Sequence, residues 1–189
     1  MDPPFVRSAI SKILISRVAL ILAFALTHPA GAMAMQQQGH ASAIMRNALA
    51  QMTGEALAAR EGNVVRIRVT VRGFPLGTHG VHLHQTGRCD APGFESAGPH
   101  WNPTSHQHGR LNMQGPHLGD LPNLEVGANG AGRIDFAVPV PAGTAAGTNP
   151  LLDANGTAIV IHAAADDLRT DPSGNSGARI ACGVLTPVR

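Results

Sequence analysis

Beyond residue 34 this chain contains no lysine. Its cations there are eleven arginines, balanced by eleven carboxylate side chains, so that stretch sums to zero. The overall formal charge of +2 comes from Arg7, Lys12 and Arg17, set against Asp2, near the start. A neutral balance without a basic cluster points away from nucleic-acid and anionic-membrane partners. Long apolar runs are missing too: "VALILAFAL", residues 18–26, falls well short of the ~20 residues that span a bilayer. Long helical periods are scarce, and neither an internal repeat nor a low-complexity tract is evident. Cysteine is limited to Cys89 and Cys182.

What is present begins with a leader. A basic segment, the short apolar run and the small residues Ala32 and Ala34 form the pattern of a secretory signal, with cleavage expected after about Ala34. Residues 35–189 then make one ordinary domain, large enough to bury a core. In an exported protein, one disulfide is the default for two cysteines, with two unpaired thiols as the alternative. Closing a loop of about 94 residues would contribute on the order of 4–5 kcal/mol in the chain-entropy account.

The clearest strand is "NVVRIRVTVR", residues 63–72, with Val65, Ile67, Val69 and Val71 on one face and Arg66, Arg68, Thr70 and Arg72 on the other. Further strands are expected at 80–84, 133–138, 157–162 and 179–185, separated by turns such as "GFPLGTHG" and "GANGAG". Short strands without intervening helices argue an all-β sandwich or barrel. "ASAIMRNALAQM", within residues 41–59, is compatible with a helix or with part of a first hairpin. Segments 85–130 and 163–178 read as structureless, and loops of that length are usually functional or disordered. Their glycines, histidines and aspartates favour function.

Histidine carries the chemistry. Residues 98–120, "GPHWNPTSHQHGRLNMQGPHLGD", hold His100, His106, His108, His117 and Asp120. In "VHLH" a strand would turn His82 and His84 to one face, about 7 Å apart. "AIVIH" ends a strand on His162. Three nitrogens and one oxygen suit tetrahedral zinc, whereas imidazole-rich tetragonal sites suit copper. So many donors exceed the needs of one ion, which argues a two-metal site.

"GVHLHQTGRCDAPGFESAGPHWNP", "HLGDLPN" and "GARIACGV" resemble the copper/zinc superoxide dismutases, especially their exported bacterial branch. The resemblance implies an eight-stranded Greek-key β-barrel with a metal-binding loop and an electrostatic loop, a fold for which this family is a standing example. It implies copper ligands at His82, His84, His100 and His162, and zinc ligands at His100, His108, His117 and Asp120, with His100 bridging. It implies that Asp166 links a copper ligand to a zinc ligand, and that Cys89 pairs with Cys182. Arg179 would guide superoxide, with Ser173 at the channel rim and His100 handling a proton. His108, eight residues after His100, is then the ligand of the close pair, leaving His106 spare.

The implied reaction is superoxide dismutation in the periplasm, with one copper and one zinc per chain. The branch includes monomers and dimers, so a homodimer is compatible with it. Two departures stand out. Trp101 replaces the usual phenylalanine, and the shortened 163–178 loop adds only Arg169 as a cation. Competing readings are a dismutase-like metal carrier or structural module, and a metal buffer recruiting His40, His79 and His106.

Overall fold

The computed structural model describes Met1 and residues 39–188. Apart from Met1, the expected signal over residues 1–34 lies outside the described residues. Ten strands follow one another: β1 (His40–Asn47), β2 (Met52–Glu61), β3 (Val64–Val71), β4 (Gly77–His79), β5 (Val81–His84), β6 (Leu124–Val126), β7 (Gly132–Pro139), β8 (Ala158–His162), β9 (Arg179–Val184) and β10 (Thr186–Pro187). Two short 3₁₀ turns, Glu95–Ala97 and Pro150–Leu152, complete the regular elements. Single residues, Gly80 and Leu185, separate β4 from β5 and β9 from β10. Joining across them reduces ten segments to the eight strand runs expected.

Every pairing is antiparallel, in the order β4-β6-β7-β3-β2-β1-β9-β8-β5, with β10 also on β1. The first and last strands of that order are consecutive in the chain. The sheet therefore returns on itself as a nearly closed barrel, and no α-helix occurs among the described residues.

Strand alternation dictates the core. Val65, Ile67, Val69 and Val71 of β3 point inward and are fully buried, beside Met45 of β1, Ala56 and Ala58 of β2, and Val81 and Leu83 of β5. Outward, Arg66 and Arg68 pair with Asp135 of β7 at 3.3 and 2.8 Å.

Residues 41–59 form a hairpin, although Ala, Met and Leu are good helix formers. Period-two burial of Ala41, Ala43 and Met45 opposite Ala56 and Ala58 decides the matter, since only a strand presents all five to one core. The turn is fixed by Asn47, whose Oδ1 accepts from the Leu49 and Gln51 N–H groups, both at 3.0 Å. Segment 85–130 is less structureless than its composition implies, because it contains the Glu95–Ala97 turn and β6. Leu124 and Val126 of β6 are buried, and three residues are too few to show a period. Cys89 and Cys182 are joined, with Cα atoms 5.7 Å apart, which ties the segment after β5 to β9.

Candidate metal centre

Val81 and Leu83 of β5 fill the barrel, so the pleat turns His82 and His84 to the opposite face, where loops bury both. β5 pairs with β8 through His82↔Val160 and His84↔Ala158, which brings the His162 end of β8 to the Gly80 end of β5. The His162 N–H donates to the Gly80 carbonyl at 2.9 Å, locking the two strand ends together.

The other edge of β5 is covered by the loop that begins at His100. Trp101 N–H donates to the Leu83 carbonyl at 2.8 Å, and Leu83 N–H to that of Gly119 at 2.9 Å. Gly119 is glycine for a steric reason: a Cβ there would lie 2.6 Å from the Leu83 oxygen. Trp101 itself is buried in the main core.

These contacts gather two sets of donors. One ligand atom from each of His82, His84, His100 and His162 lies within 4.8 Å of the others, and the same holds for His82, His100, His108 and Asp120. His117 is outside the second set, yet its Nδ1 lies 3.2 Å from Asp120 Oδ1 and 3.3 Å from His100 Nδ1. His100 Nδ1 and His108 Nδ1 each lie 3.0 Å from that same Asp120 oxygen. A tetrahedral zinc with bonds near 2.0 Å has ligand–ligand edges of about 3.3 Å. Three ring nitrogens and one carboxylate oxygen at 3.0–3.3 Å fit that ion.

Around His82, His84 and His162 the outer nitrogen of each ring is already engaged. His82 Nε2–H donates to Asp166 at 2.9 Å, His84 Nδ1–H to the Gly98 carbonyl at 2.7 Å, and His162 Nδ1–H to the Gly177 carbonyl at 3.0 Å. That leaves His82 Nδ1, His84 Nε2 and His162 Nε2 buried with no hydrogen-bond partner. An unpartnered buried polar atom costs ~1–3 kcal/mol, so three in one cluster demand an occupant. Neutral imidazole nitrogens suit copper.

Burial holds the rings neutral. It pushes His82 down to about 3, His84 to about 2 and His162 to about 4, and Arg179 lowers His84 and His162 further. Burial lowers His100 as well. His108 goes the other way. Burial pulls it down, but its hydrogen bonds to the Asp120 and Asp166 carboxylates outweigh that and raise it to about 9. Both carboxyls are held below their usual range despite burial, Asp120 by His100, His108 and His117, and Asp166 by His108 and His82. The pocket around Asp120 thus favours positive charge, whether a proton or a metal ion.

Asp166 joins the two halves, accepting from His82 Nε2–H through Oδ2 at 2.9 Å and from His108 Nε2–H through Oδ1 at 3.0 Å. Arg179, half-buried, donates to the Phe94 and Gly98 carbonyls at 2.8 and 2.9 Å. The Gly98 oxygen therefore orients both the guanidinium and His84. Ser173 is half-buried, and its carbonyl accepts from Ser176 Oγ at 2.8 Å.

The spare histidines stay apart. His40 is exposed on β1, and His106 is exposed with its ring against the Pro116 carbonyl at 3.2 Å, whereas its neighbour His108 is fully buried in the centre. His79 is buried with its ring nitrogens 2.8 and 3.0 Å from the His162 and Pro75 carbonyls. Among the described residues none of these three belongs to either donor set.

Sequence reasoning missed three supports. Asn123 clamps the Asp166 backbone in both directions, at 2.9 Å each. The Gly98 carbonyl was invisible because a backbone acceptor leaves no side-chain signature. Asp171 accepts the His108 N–H at 2.6 Å, from a segment that reads as ordinary turn composition.

Residues 50–185 match the family described as copper/zinc superoxide dismutase (SODC). The chain belongs to this family. It is 36% identical to the superoxide dismutase [Cu-Zn] 2 of Aquifex aeolicus over 166 residues, covering 87% of this chain and 96% of that one. Over 111 residues it is 47% identical to the superoxide dismutase-like protein YojM of Bacillus subtilis, covering 59% and 57% of the two chains. Among solved structures, the Cu/Zn superoxide dismutase from Brucella abortus superposes with a TM-score of 0.60 at 25% identity, over 78% of this chain and 99% of that one. A SOD-like protein from Bacillus subtilis superposes with a TM-score of 0.70 at 38% identity, over 77% and 97%. Relatives named as Cu-Zn superoxide dismutases make the chain an oxidoreductase of that class, and the family's metals are copper and zinc.

Proposed function

We propose that the chain dismutes superoxide, two radicals and two protons giving dioxygen and hydrogen peroxide. His82, His84, His100 and His162 hold copper, and His100, His108, His117 and Asp120 hold zinc. Bound copper supplies one-electron exchange with superoxide, while zinc, which has no redox chemistry, is structural. His82, His84 and His162 present fixed neutral nitrogens to the metal, their outer N–H groups already engaged. His100, with Nδ1 toward Asp120, offers Nε2 to the copper side and carries a proton there for the forming peroxide. Arg179 keeps its charge at any working pH and draws the small anion inward. A focused field in a cleft raises anion on-rates by ~10–10³, a magnitude for which superoxide dismutases themselves are a standing example.

The single observation that supports this reading most is the set of three buried, unpartnered ring nitrogens beside His100. It also favours this reading over a dismutase-like module without catalytic copper. Some relatives are named only as dismutase-like, so the roles of individual residues rest on this chain's own geometry. The mature domain, residues 35–189, is assigned to the periplasm, in keeping with the disulfide and with bacterial relatives.

Metal analysis with superoxide turnover, on the wild type beside His100→Ala and Arg179→Glu, tests the proposal. Equimolar copper and zinc with fast turnover are expected, His100→Ala disturbing both. Arg179→Glu is expected to slow turnover at least tenfold with copper retained. Turnover in protein lacking copper would sink the assignment, and copper lost from Arg179→Glu would make that arginine structural. More than two metal ions per chain would favour the buffer reading instead.

A further inference from the structure

The zinc-side cluster is carried by a loop, and the element that steadies this loop from outside is the segment 163–178. Besides the 3.0 Å hydrogen bond from His108 Nε2–H to Asp166, three contacts cross between them. Leu111 N–H donates to the Leu168 carbonyl at 2.9 Å, Asn112 Nδ2–H to the Arg169 carbonyl at 3.4 Å, and His108 N–H to Asp171 Oδ1 at 2.6 Å. The last differs from the others in kind. Its acceptor is a carboxylate, and charge-assisted hydrogen bonds are shorter and roughly twice as strong as neutral ones.

The same Asp171 oxygen lies 3.9 Å from His117 Nε2. His117 turns its other nitrogen, Nδ1, toward Asp120 at 3.2 Å. A ring that gives Nδ1 to a metal carries its proton on Nε2, facing Asp171. Metal-binding imidazoles characteristically present that outer N–H to a carboxylate, which fixes the ring and strengthens the ligand. Asp166 does this for His108 through a 3.0 Å hydrogen bond. Asp171 stands in the corresponding direction for His117, at a longer range, while holding the main chain of His108.

We propose that Asp171 is a positioning residue for zinc, fixing His108 through its backbone and His117 through the outer face of its ring. This inference rests on the reading that His100, His108, His117 and Asp120 hold zinc. It adds to Asp166 a second residue of segment 163–178 on which retention of the ion depends. Asp171 is half-exposed, so its effect falls at the low end of the ~10–100-fold range measured for groups that support a metal ligand.

The neighbouring Asp167 provides a control. Its carboxylate accepts from the Arg169 and Thr170 N–H groups, Thr170 Oγ and Asn175 Nδ2, at 2.6–2.9 Å, all within the same segment. None of these partners belongs to the zinc-side cluster. Removing Asp167 therefore loosens the segment without touching a ligand.

The experiment loads wild type, Asp171→Ala, Asp171→Asn and Asp167→Ala with zinc alone and follows release to a chromogenic chelator. Cobalt(II)-substituted samples report ligand geometry through their visible absorption. Asp171→Ala is expected to release zinc about tenfold faster and to shift the cobalt spectrum. Asp171→Asn, which keeps an acceptor for the His108 N–H but loses the charge facing His117, should fall between it and wild type. Asp167→Ala should release zinc at nearly the wild-type rate. Unchanged release and spectra in both Asp171 variants would overturn the proposal, as would an Asp167→Ala variant that matches Asp171→Ala. A wild type that holds no zinc, or holds it after His108→Ala, would overturn the underlying zinc reading instead.

Discussion

The two halves of the metal centre are built by different means. His82, His84 and His162 stand on β5 and β8, paired strands in the sheet, and their orientation follows from pleat and register. His108, His117 and Asp120 stand on a loop with no strand of its own. There the organising device is one carboxylate oxygen with three ring nitrogens around it, at 3.0–3.2 Å. The strand-held half keeps its geometry because the barrel does. The loop-held half depends on charge balance among its own members and on the segment across from it. Rigidity in the first comes from main-chain ladders, and in the second from side-chain electrostatics.

Asp120→Ala should break the comparison most severely. It removes the shared oxygen and the acceptor of the Gly109 and His117 N–H groups, at 2.9 and 3.0 Å. Zinc affinity should fall by more than the ~10–100-fold that losing a supporting group costs, with copper affinity far less affected. Elemental analysis after dialysis measures both, and equal loss of the two metals would show the halves to be one unit.

Leu83→Ala sharpens the other side. Leu83 is fully buried between His82 and His84 in sequence and packs in the main core. The substitution should cost about 2–5 kcal/mol of stability, read by denaturant unfolding of the metal-free protein. Copper affinity should weaken more than zinc affinity, and the reverse order would contradict a strand-held copper half.

Asp135→Asn on the outer wall should do least. Hydrogen bonds from Arg68 and then Arg66 hold the Asp135 carboxyl below its ordinary range, so its contribution is present above the unfolded carboxylate pKa. That contribution is lost as pH falls through the folded value. The variant should therefore flatten only the acid limb of a stability–pH profile, most visibly at low salt, and change neither metal affinity. A changed metal affinity would tie the far wall to the site.

Legibility in the sequence followed the same division. The alternation of residues 63–72 disclosed β3 because burial and period agree along its length. The β1–β2 hairpin was ambiguous because its small inward residues, Ala41, Ala43, Ala56 and Ala58, also favour helix, and only the partner strand settles which period counts. β6 was missed because three residues cannot display a period. At the site, the resemblance supplied a ligand set from residue types and intervals, and the structure gathers those side chains in one place. What escaped was whatever acts through the main chain or across long separations: the Gly98 carbonyl, the Asn123 clamp and Asp171, which meets His108 across 63 residues.

Gly80 marks where the first and last strands of the sheet are one continuous piece of chain, so the barrel has a seam at that point. A hydrogen bond from the Trp101 N–H and one to the Gly119 carbonyl lie along the free edge of β5 there. Unpaired strand edges are templates for pairing with other molecules unless something covers them. Here the cover is the stretch that carries the proposed ligands, so on that reading residues around 100 and 119 answer to two demands at once. They must suit a metal ion, and they must finish a sheet, which leaves this stretch far less room to drift than a surface loop of its length ordinarily has.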